Sequence, residues 1–157
     1  MTLRELRNSY GISQKEASLS INIPLRTYIR YEKSGDYNNL KYQKMVDILK
    51  EKYEITEEKG ILTLDEIKKV VSDVLSEYKD SVSYCYLFGS YAKGYATETS
   101  DVDLCIETNI TGLSFVGLIE KLRQSLKKKV DLLRVKDINN NLELLTDIMK
   151  DGIKIYG

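Results

Sequence analysis

GSYAKGYATETSDVD, residues 89–103, is the stretch of this chain that decides its fold. It opens with a Gly-Ser pair and closes with Asp101 and Asp103, which flank a single valine. The apolar and aromatic residues just before it, 83–88, are typical of a buried strand. The apolar residues of 102–107 predict a second strand. The stretch therefore predicts a strand, a tight turn with a short helix, and another strand.

The polar residues of this stretch suit the binding of a nucleotide and a metal. Residues i and i+2 of a strand point to the same face, so Asp101 and Asp103 are expected to project together and to hold Mg²⁺ on a nucleoside triphosphate. Gly89 allows phosphate to approach the backbone, and Ser90 opens a short helix that can face an anion. Alone, each feature is more often an ordinary turn or a solvated strand edge. Their combination favours the functional interpretation.

The same residues carry a resemblance to a known family. The stretch resembles the nucleotidyltransferase superfamily that includes DNA polymerase β, and most of all its short minimal nucleotidyltransferase (MNT) group. In that superfamily a later strand supplies a third carboxylate, which Asp131 matches here. The segment 141–157 resembles the last helix of MNT proteins. The matching motifs are Gly89-Ser90, Ala92-Lys93-Gly94, Ser100-Asp101-Val102-Asp103-Leu104 and Lys129-Val130-Asp131-Leu132-Leu133-Arg134-Val135.

The resemblance implies transfer of a nucleoside monophosphate, with ATP as donor, to a hydroxyl group and release of pyrophosphate. It implies that Asp101, Asp103 and Asp131 bind two Mg²⁺ ions, and that Asp131 also helps to deprotonate the acceptor. It implies that Gly89 and Ser90 hold the terminal phosphates. Lys93 is expected either to neutralise phosphate charge or to be an ordinary surface lysine.

MNT proteins are typically antitoxins paired with a HEPN-family RNase toxin, and some adenylylate a toxin tyrosine. The resemblance therefore implies an antitoxin that modifies a HEPN-type partner. Two alternatives stay open: a non-catalytic antitoxin that acts by binding and repression, and a small-molecule nucleotidyltransferase of the aminoglycoside-modifying kind. The three aspartates argue against the first, and the short segment after Asp131 argues against the second.

The N-terminal part shows a helix-turn-helix pattern. Ser13 and Glu16 form a capping box, and Pro24 suits the start of a further helix after a turn at Asn22. This part resembles the Cro/C1 (Xre)-type DNA-binding domain, and the resemblance implies dimeric operator binding and autoregulation. Ala17, Ser18 and Ile29 depart from the family pattern, so the same face could instead contact protein. The residues that match the family's DNA-facing positions are Gln14, Leu25, Arg26, Thr27 and Arg30.

The composition excludes several kinds of site. The chain has 157 residues, 42% of them hydrophobic, and no histidine, which excludes Ser-His and Cys-His catalysis and His-ligated zinc. Its two cysteines, Cys85 and Cys105, lie in predicted strands and are expected in the core. The lysine run 127–129 is expected to be a solvated helix end, with a phosphate or partner contact as the alternative. No signal peptide or membrane span is predicted, so a cytoplasmic location is expected.

These observations predict a two-domain chain, with an all-α helix-turn-helix domain at 1–54 and an α/β nucleotidyltransferase domain at 61–157. A charged linker is predicted at 55–60. The formal net charge is zero. The resemblances imply a homodimer or a hetero-oligomer with the toxin. The second domain is predicted to hold a small mixed sheet with strands near 82–88, 102–107 and 129–135 and helices near 63–79, 114–127 and 140–151.

Overall fold

The computed structural model describes all of residues 1–157, which form two compact units, Met1–Glu54 and Ile55–Gly157. Residues 55–60, predicted as a linker, lie within the second unit. There Thr56 and Lys59 pair through their backbones, and Glu57 forms an ion pair with Arg123. No helix of the chain has the length and apolar character that crossing a membrane requires.

The first unit consists of four helices around one small core. Capping boxes start the first two helices, at Thr2 with Glu5 and at Ser13 with Glu16. Asn22 ends the second helix in the left-handed conformation. The buried apolar side chains come from every helix: Leu3, Leu6, Ala17, Tyr28, Tyr42, Met45 and Leu49. The helices are α1 (Leu3–Ser9), α2 (Gln14–Ile21), α3 (Leu25–Ser34) and α4 (Leu40–Tyr53).

A buried ion pair ties α1 to α3. The Glu32 side chain is 1% exposed, and Arg7 Nη2 donates to its Oε1 at 2.9 Å while Arg7 Nε donates to Oε2 at 3.0 Å. Burial alone would raise the pKa of Glu32, but the hydrogen bonds and the charge of Arg7 lower it to about 2. This two-point contact fixes how the helices pack.

The second unit is built on a four-stranded mixed sheet with the strand order β3-β2-β1-β4. β1 pairs antiparallel with β2 and β4, whereas β2 and β3 are parallel. The predicted small mixed sheet and its first three strands are confirmed. The elements are α5 (Leu64–Ser76), β1 (Val82–Phe88), α6 (Gly89–Lys93), β2 (Val102–Thr108), α7 (Gly112–Leu126), β3 (Val130–Arg134), α8 (Val135–Ile138), α9 (Leu142–Asp151) and β4 (Ile153–Tyr156).

The C-terminal segment ends in a strand that was not predicted. The helix predicted near 140–151 is present as α9, and β4 follows it, so the resemblance of 141–157 to a last helix holds only as far as Asp151. Gly152 takes an extended conformation, and its amide donates to the Ile148 carbonyl, so the chain leaves the helix there. β4 then occupies the free edge of β1. Val135 was also predicted in the third strand but instead begins α8.

Alternation along the strands gives the sheet two unlike faces. On one face, Leu87, Leu104 and Ile106 join α5 and α7 in the main core. On the other face, Phe88 and Cys105 pack with α8 and α9 in a smaller cluster. Both cysteines are buried free thiols, as predicted. β2 therefore has two buried faces, and the polar residues at its start are held by packing on both sides.

Candidate active site

Two of the predicted aspartates are paired across neighbouring strands. Asp103 of β2 and Asp131 of β3 are Cα partners in the parallel ladder. Their side chains share the face of the sheet that carries Cys105 and Leu133, two residues further along each strand. Asp103 is half-buried and Asp131 is exposed, whereas Asp101 is exposed and lies one residue before β2.

The charges of these carboxylates act on each other. Burial, together with the charges of Asp131 and Asp101, raises the pKa of Asp103 to about 6. Like charges shift a pKa in this way only when they lie close together. The site is therefore an uncompensated negative centre that a cation would stabilise.

Gly89 is packed directly against the Asp103 carboxylate. It follows Phe88, which pairs with Asp103 across β1 and β2, and its φ of 70° lies in the left-handed region. A Cβ built on Gly89 would overlap Asp103 Oδ2. Only glycine combines this backbone conformation with this close approach. The sequence requirement at position 89 is thus both conformational and steric.

The short helix α6 carries the other two predicted nucleotide-binding residues. Ser90 is half-buried in its first turn, and its carbonyl accepts the amides of Gly94 and Tyr95. Lys93 lies in the last turn, where its Nζ donates to Asp147 Oδ1 of α9 at 2.7 Å. This hydrogen bond raises the pKa of Lys93. The lysine is therefore already paired with a carboxylate.

Lys93 and Asp147 line an open groove of about 510 Å³ beside α9. The sequence does not indicate a role for Asp147, because an aspartate on an amphipathic helix gives no sign of the residue it contacts in the folded protein. The remaining lining residues are Asn141, Glu143, Leu144, Thr146 and Lys150.

The donor set suits magnesium, but the structure does not assemble a complete metal site. Carboxylate oxygens are the ligands that Mg²⁺ prefers, and Asp103 and Asp131 supply two of them on adjacent strands. No group of three or more carboxylate or cysteine side chains is placed to hold a metal ion. The assignment of Asp101 as a third ligand stays a prediction.

The residues predicted to face DNA lie at the start of α2 and in the first two turns of α3. Leu25, Arg26 and Arg30 are exposed, and Thr27 is half-buried. The Arg30 guanidinium lies over the Tyr31 ring, 5.5 Å from its centroid. Gln14 differs from the others, since its Nε2 donates to Glu32 Oε1 at 3.4 Å and is directed partly inward.

Residues 65–157, in the second unit, are similar to proteins of a known family. The family described as polymerase beta, nucleotidyltransferase matches residues 65–157, more than half of the chain. A provisionally named protein adenylyltransferase of Methanocaldococcus jannaschii is 42% identical over 84 residues, which is 50% of this chain and 84% of the relative. Protein adenylyltransferase MntA of Thermococcus cleftensis is 33% identical over 87 residues, covering 53% of this chain and 88% of MntA.

A solved structure shows the same fold. A crystal structure of a toxin-antitoxin with AMP-PNP contains a chain that superposes with a TM-score of 0.51 at 23% identity. The match covers 57% of this chain and 73% of that one. At this identity the likeness concerns the arrangement of the sheet and its helices.

Proposed function

The chain belongs to the polymerase beta nucleotidyltransferase family, and on that premise we propose that its second unit transfers AMP from ATP to a hydroxyl group of a partner protein. The observation that carries the proposal is the Asp103–Asp131 pair beside Gly89. Its relatives from two archaea bear the name protein adenylyltransferase, which supports a protein as acceptor.

The position of each site residue indicates the role that it would have in the reaction. Asp103 and Asp131, with Asp101 beside them, would hold Mg²⁺, which when bound neutralises phosphate charge and lowers the pKa of an acceptor hydroxyl. Gly89 leaves room for phosphate oxygens at the amides that open α6, and Ser90 offers its hydroxyl to them. Lys93 would bind a phosphate group only after its ion pair with Asp147 is broken.

The reaction is a single displacement at phosphorus. The acceptor oxygen forms a bond to the α-phosphorus of ATP, the bond to the β-phosphate oxygen breaks, and pyrophosphate leaves. Asp131 is the exposed carboxylate of the pair and would accept the hydroxyl proton. Asp103 is half-buried and would stay in place as a ligand.

We assign the protein acceptor to a toxin, with the chain as its antitoxin. The MNT resemblance implies a HEPN-type partner modified on tyrosine, and the structural neighbour with AMP-PNP is a toxin-antitoxin. A non-catalytic antitoxin is the second candidate, because three ligands are not gathered into one metal site.

The first unit would bind operator DNA. α3 offers Arg26 and Arg30 on its exposed surface, and the turn before it is held by Asn22 in the left-handed conformation. Paired helices with an exposed basic second helix suit the major groove. Binding upstream of its own gene would let the antitoxin regulate its expression.

The transferase proposal is tested with ATP labelled at the α-phosphate and a small helical protein encoded by the neighbouring gene. Label should pass to that protein in the presence of Mg²⁺ and stop when Mg²⁺ is chelated. Asp101→Asn should abolish labelling without unfolding the protein, whereas Asp73→Asn, a change at an exposed site on α5, should not. If Asp101→Asn labels the partner as well as wild type does, the site is wrongly assigned. If it neutralises the toxin without labelling, the second candidate is correct.

A further inference from the structure

Lys128 is a fully buried lysine in the short segment between α7 and β3. It lies in the run 127–129, which was predicted to be a solvated helix end; its two neighbours are exposed, but Lys128 is not. An ammonium group removed from water is costly unless hydrogen bonds replace its hydration. The contacts of Lys128 should therefore show what its burial does for the fold.

The ammonium group is held by two backbone carbonyls. Lys128 Nζ donates to Glu98 O at 2.6 Å and to Lys59 O at 3.3 Å. Burial lowers the pKa of Lys128, and the charges of Glu98 and Glu57 oppose this shift. No carboxylate forms an ion pair with the Lys128 side chain. Lys128 thus joins two segments of main chain that are distant in sequence.

One of these segments is the loop from Gly94 to Asp101, which connects α6 to β2. Glu98 is fixed twice, since its carboxylate also accepts the Gly60 amide at 3.1 Å. Within the loop, Thr97 and Ser100 close a turn, with the Ser100 amide donating to Thr97 O at 3.1 Å. The loop ends at Asp101, one of the predicted ligands.

The other end of the loop is fixed beside Lys128. The Val102 amide donates to the carbonyl of Lys129 at 2.9 Å, which begins the pairing of β2 with β3. Asp101 therefore lies between two attachment points, one at the Lys128 side chain and one at the Lys129 backbone. Its own side chain is exposed, and it forms no hydrogen bond or ion pair that would hold it in place.

We infer that Lys128 is a positioning residue that fixes the loop 94–101 and thereby places Asp101 beside Asp103 and Asp131. The inference deepens the proposed function and rests on it. A neutral side chain of similar length would remove the donor to the Glu98 carbonyl, whereas the Lys59 carbonyl would keep the Thr56 amide at 2.8 Å. The loop would then open so that water can hydrate the Glu98 carbonyl. Asp101 would then lie beside Asp103 and Asp131 in only a fraction of the molecules.

The test is amide hydrogen exchange of the full-length protein in the absence of metal. In Lys128→Met, the hydrogen-bonded amides within the loop, those of Thr97 and Ser100, should exchange about tenfold faster than in wild type, because local opening of the loop costs less without the Lys128 hydrogen bonds. The amides of β1 and β2 should keep their protection. Lys129→Met is the matched control, since the side chain of that lysine is exposed and only its backbone carbonyl takes part, by accepting the Val102 amide. It should exchange like wild type.

The outcomes separate positioning from general stabilisation. Faster exchange confined to 94–101 supports the inference. Unchanged exchange in the loop, or an equal rise in β1 and β2, overturns it. AMP transfer gives a second measurement: kcat should fall in Lys128→Met while KM for the acceptor protein changes little. If wild type transfers no AMP, the proposed function fails, and the exchange data still decide whether Lys128 holds the loop.

A measurement on the wild-type protein covers the case in which Lys128→Met does not fold. The Lys128 ammonium, assigned through its own side-chain carbons by NMR, should exchange its protons with water far more slowly than Lys127 and Lys129. Exchange at the rate of these exposed neighbours would show that the hydrogen bonds to Glu98 and Lys59 are not maintained, and would overturn the inference.

Discussion

Asp103 and Asp131 are direct partners in the parallel ladder of β2 and β3, although a whole helix, α7, separates them in sequence. Their carboxylates share one face of the sheet, and the charge of Asp131 adds to the burial that raises the pKa of Asp103. Repulsion of this kind lowers stability in the absence of a cation, so the site has consequences for folding as well as for chemistry.

The first prediction concerns stability and pH. The pKa of Asp103 is about 6 in the folded protein against an ordinary value of 3.8, so the folded state favours the protonated form, and ionisation removes stability as pH rises from about 4 to 6. Without divalent cations, Asp103→Asn should be more stable than wild type by about 1–2 kcal/mol at pH 7, allowing for partial exposure. Urea unfolding from pH 4 to 8 measures this difference, which should shrink towards pH 4. A difference independent of pH would contradict the assignment.

The second prediction separates a steric effect from a backbone effect. Gly89 and Gly94 both have positive φ, but a Cβ would overlap Asp103 only at Gly89 and would meet nothing within 4 Å at Gly94. Both alanine variants should lose about 1 kcal/mol from backbone strain. Gly89→Ala should in addition displace the Asp103 carboxylate and abolish AMP transfer. Equal activity in the two variants would show that the contact with Asp103 has no role.

The third prediction concerns the buried ion pair of the first unit. Arg7→Met leaves the Glu32 carboxylate buried without its main partner and should cost about 3–5 kcal/mol. Arg4 also contacts Glu32, at 3.3 Å, but its side chain is 64% exposed, so Arg4→Met should cost less than about 1 kcal/mol. Urea unfolding of the two variants gives the comparison. Similar losses in both would mean that burial does not set the strength of the pair.

The same pair gives an acid dependence of opposite sign to that of Asp103. The pKa of Glu32 is about 2 against an ordinary 4.5, so its contribution is complete above pH 4.5 and disappears as pH falls towards 2. Helix content followed by circular dichroism should therefore fall in acid. Glu32→Gln, already lacking the charge, should lose less stability than wild type over this range.

The fourth prediction concerns the pairing of Lys93 with Asp147. If Lys93 binds phosphate, Asp147 competes for it, so Asp147→Asn should tighten ATP binding severalfold. Lys93→Met should weaken ATP binding instead. Titration calorimetry with ATP and Mg²⁺ measures both. Unchanged affinity in both variants would leave Lys93 as a surface lysine with a structural ion pair.

The fifth prediction concerns DNA. The double change Arg26→Ala, Arg30→Ala should weaken binding to the operator upstream of the chain's own gene. Loss of a phosphate contact should lower the salt slope by about 1, whereas loss of a base-edge contact should cost about 1–3 kcal/mol and relax specificity. Lys50→Ala, at an exposed position on α4, is the control. Footprinting that finds no protected upstream site, with and without the proposed toxin partner, would exclude operator binding.

Local sequence pattern predicted much of the second unit. Apolar runs mark β1 and β2, because strands with buried residues on both faces carry apolar side chains at successive positions. β4 was missed because Ile153–Tyr156 is too short to show a period and directly follows a helix. The family and the mixed sheet are confirmed, while the roles of the individual site residues stay predictions.

The site itself depends on contacts that sequence alone does not display. The type and spacing of Asp101 and Asp103 could be predicted, but the register that sets Asp131 opposite Asp103 comes from strand pairing across a helix. The burial of Lys128 could not be predicted either, since three consecutive lysines look alike until the chain places one beneath a loop. Such features arise from tertiary packing.

The position of β3 at the rim of the sheet affects which acceptors can reach the chemistry. β3 has a neighbouring strand on one side only, and Asp131 on it is exposed. The proposed base therefore lies on an open flank instead of at the bottom of a cleft, and a bulky protein surface can approach as freely as a small molecule. Selectivity would then have to come from contacts made elsewhere on the acceptor, so a free tyrosine or short peptide should be a poor substitute for the folded partner.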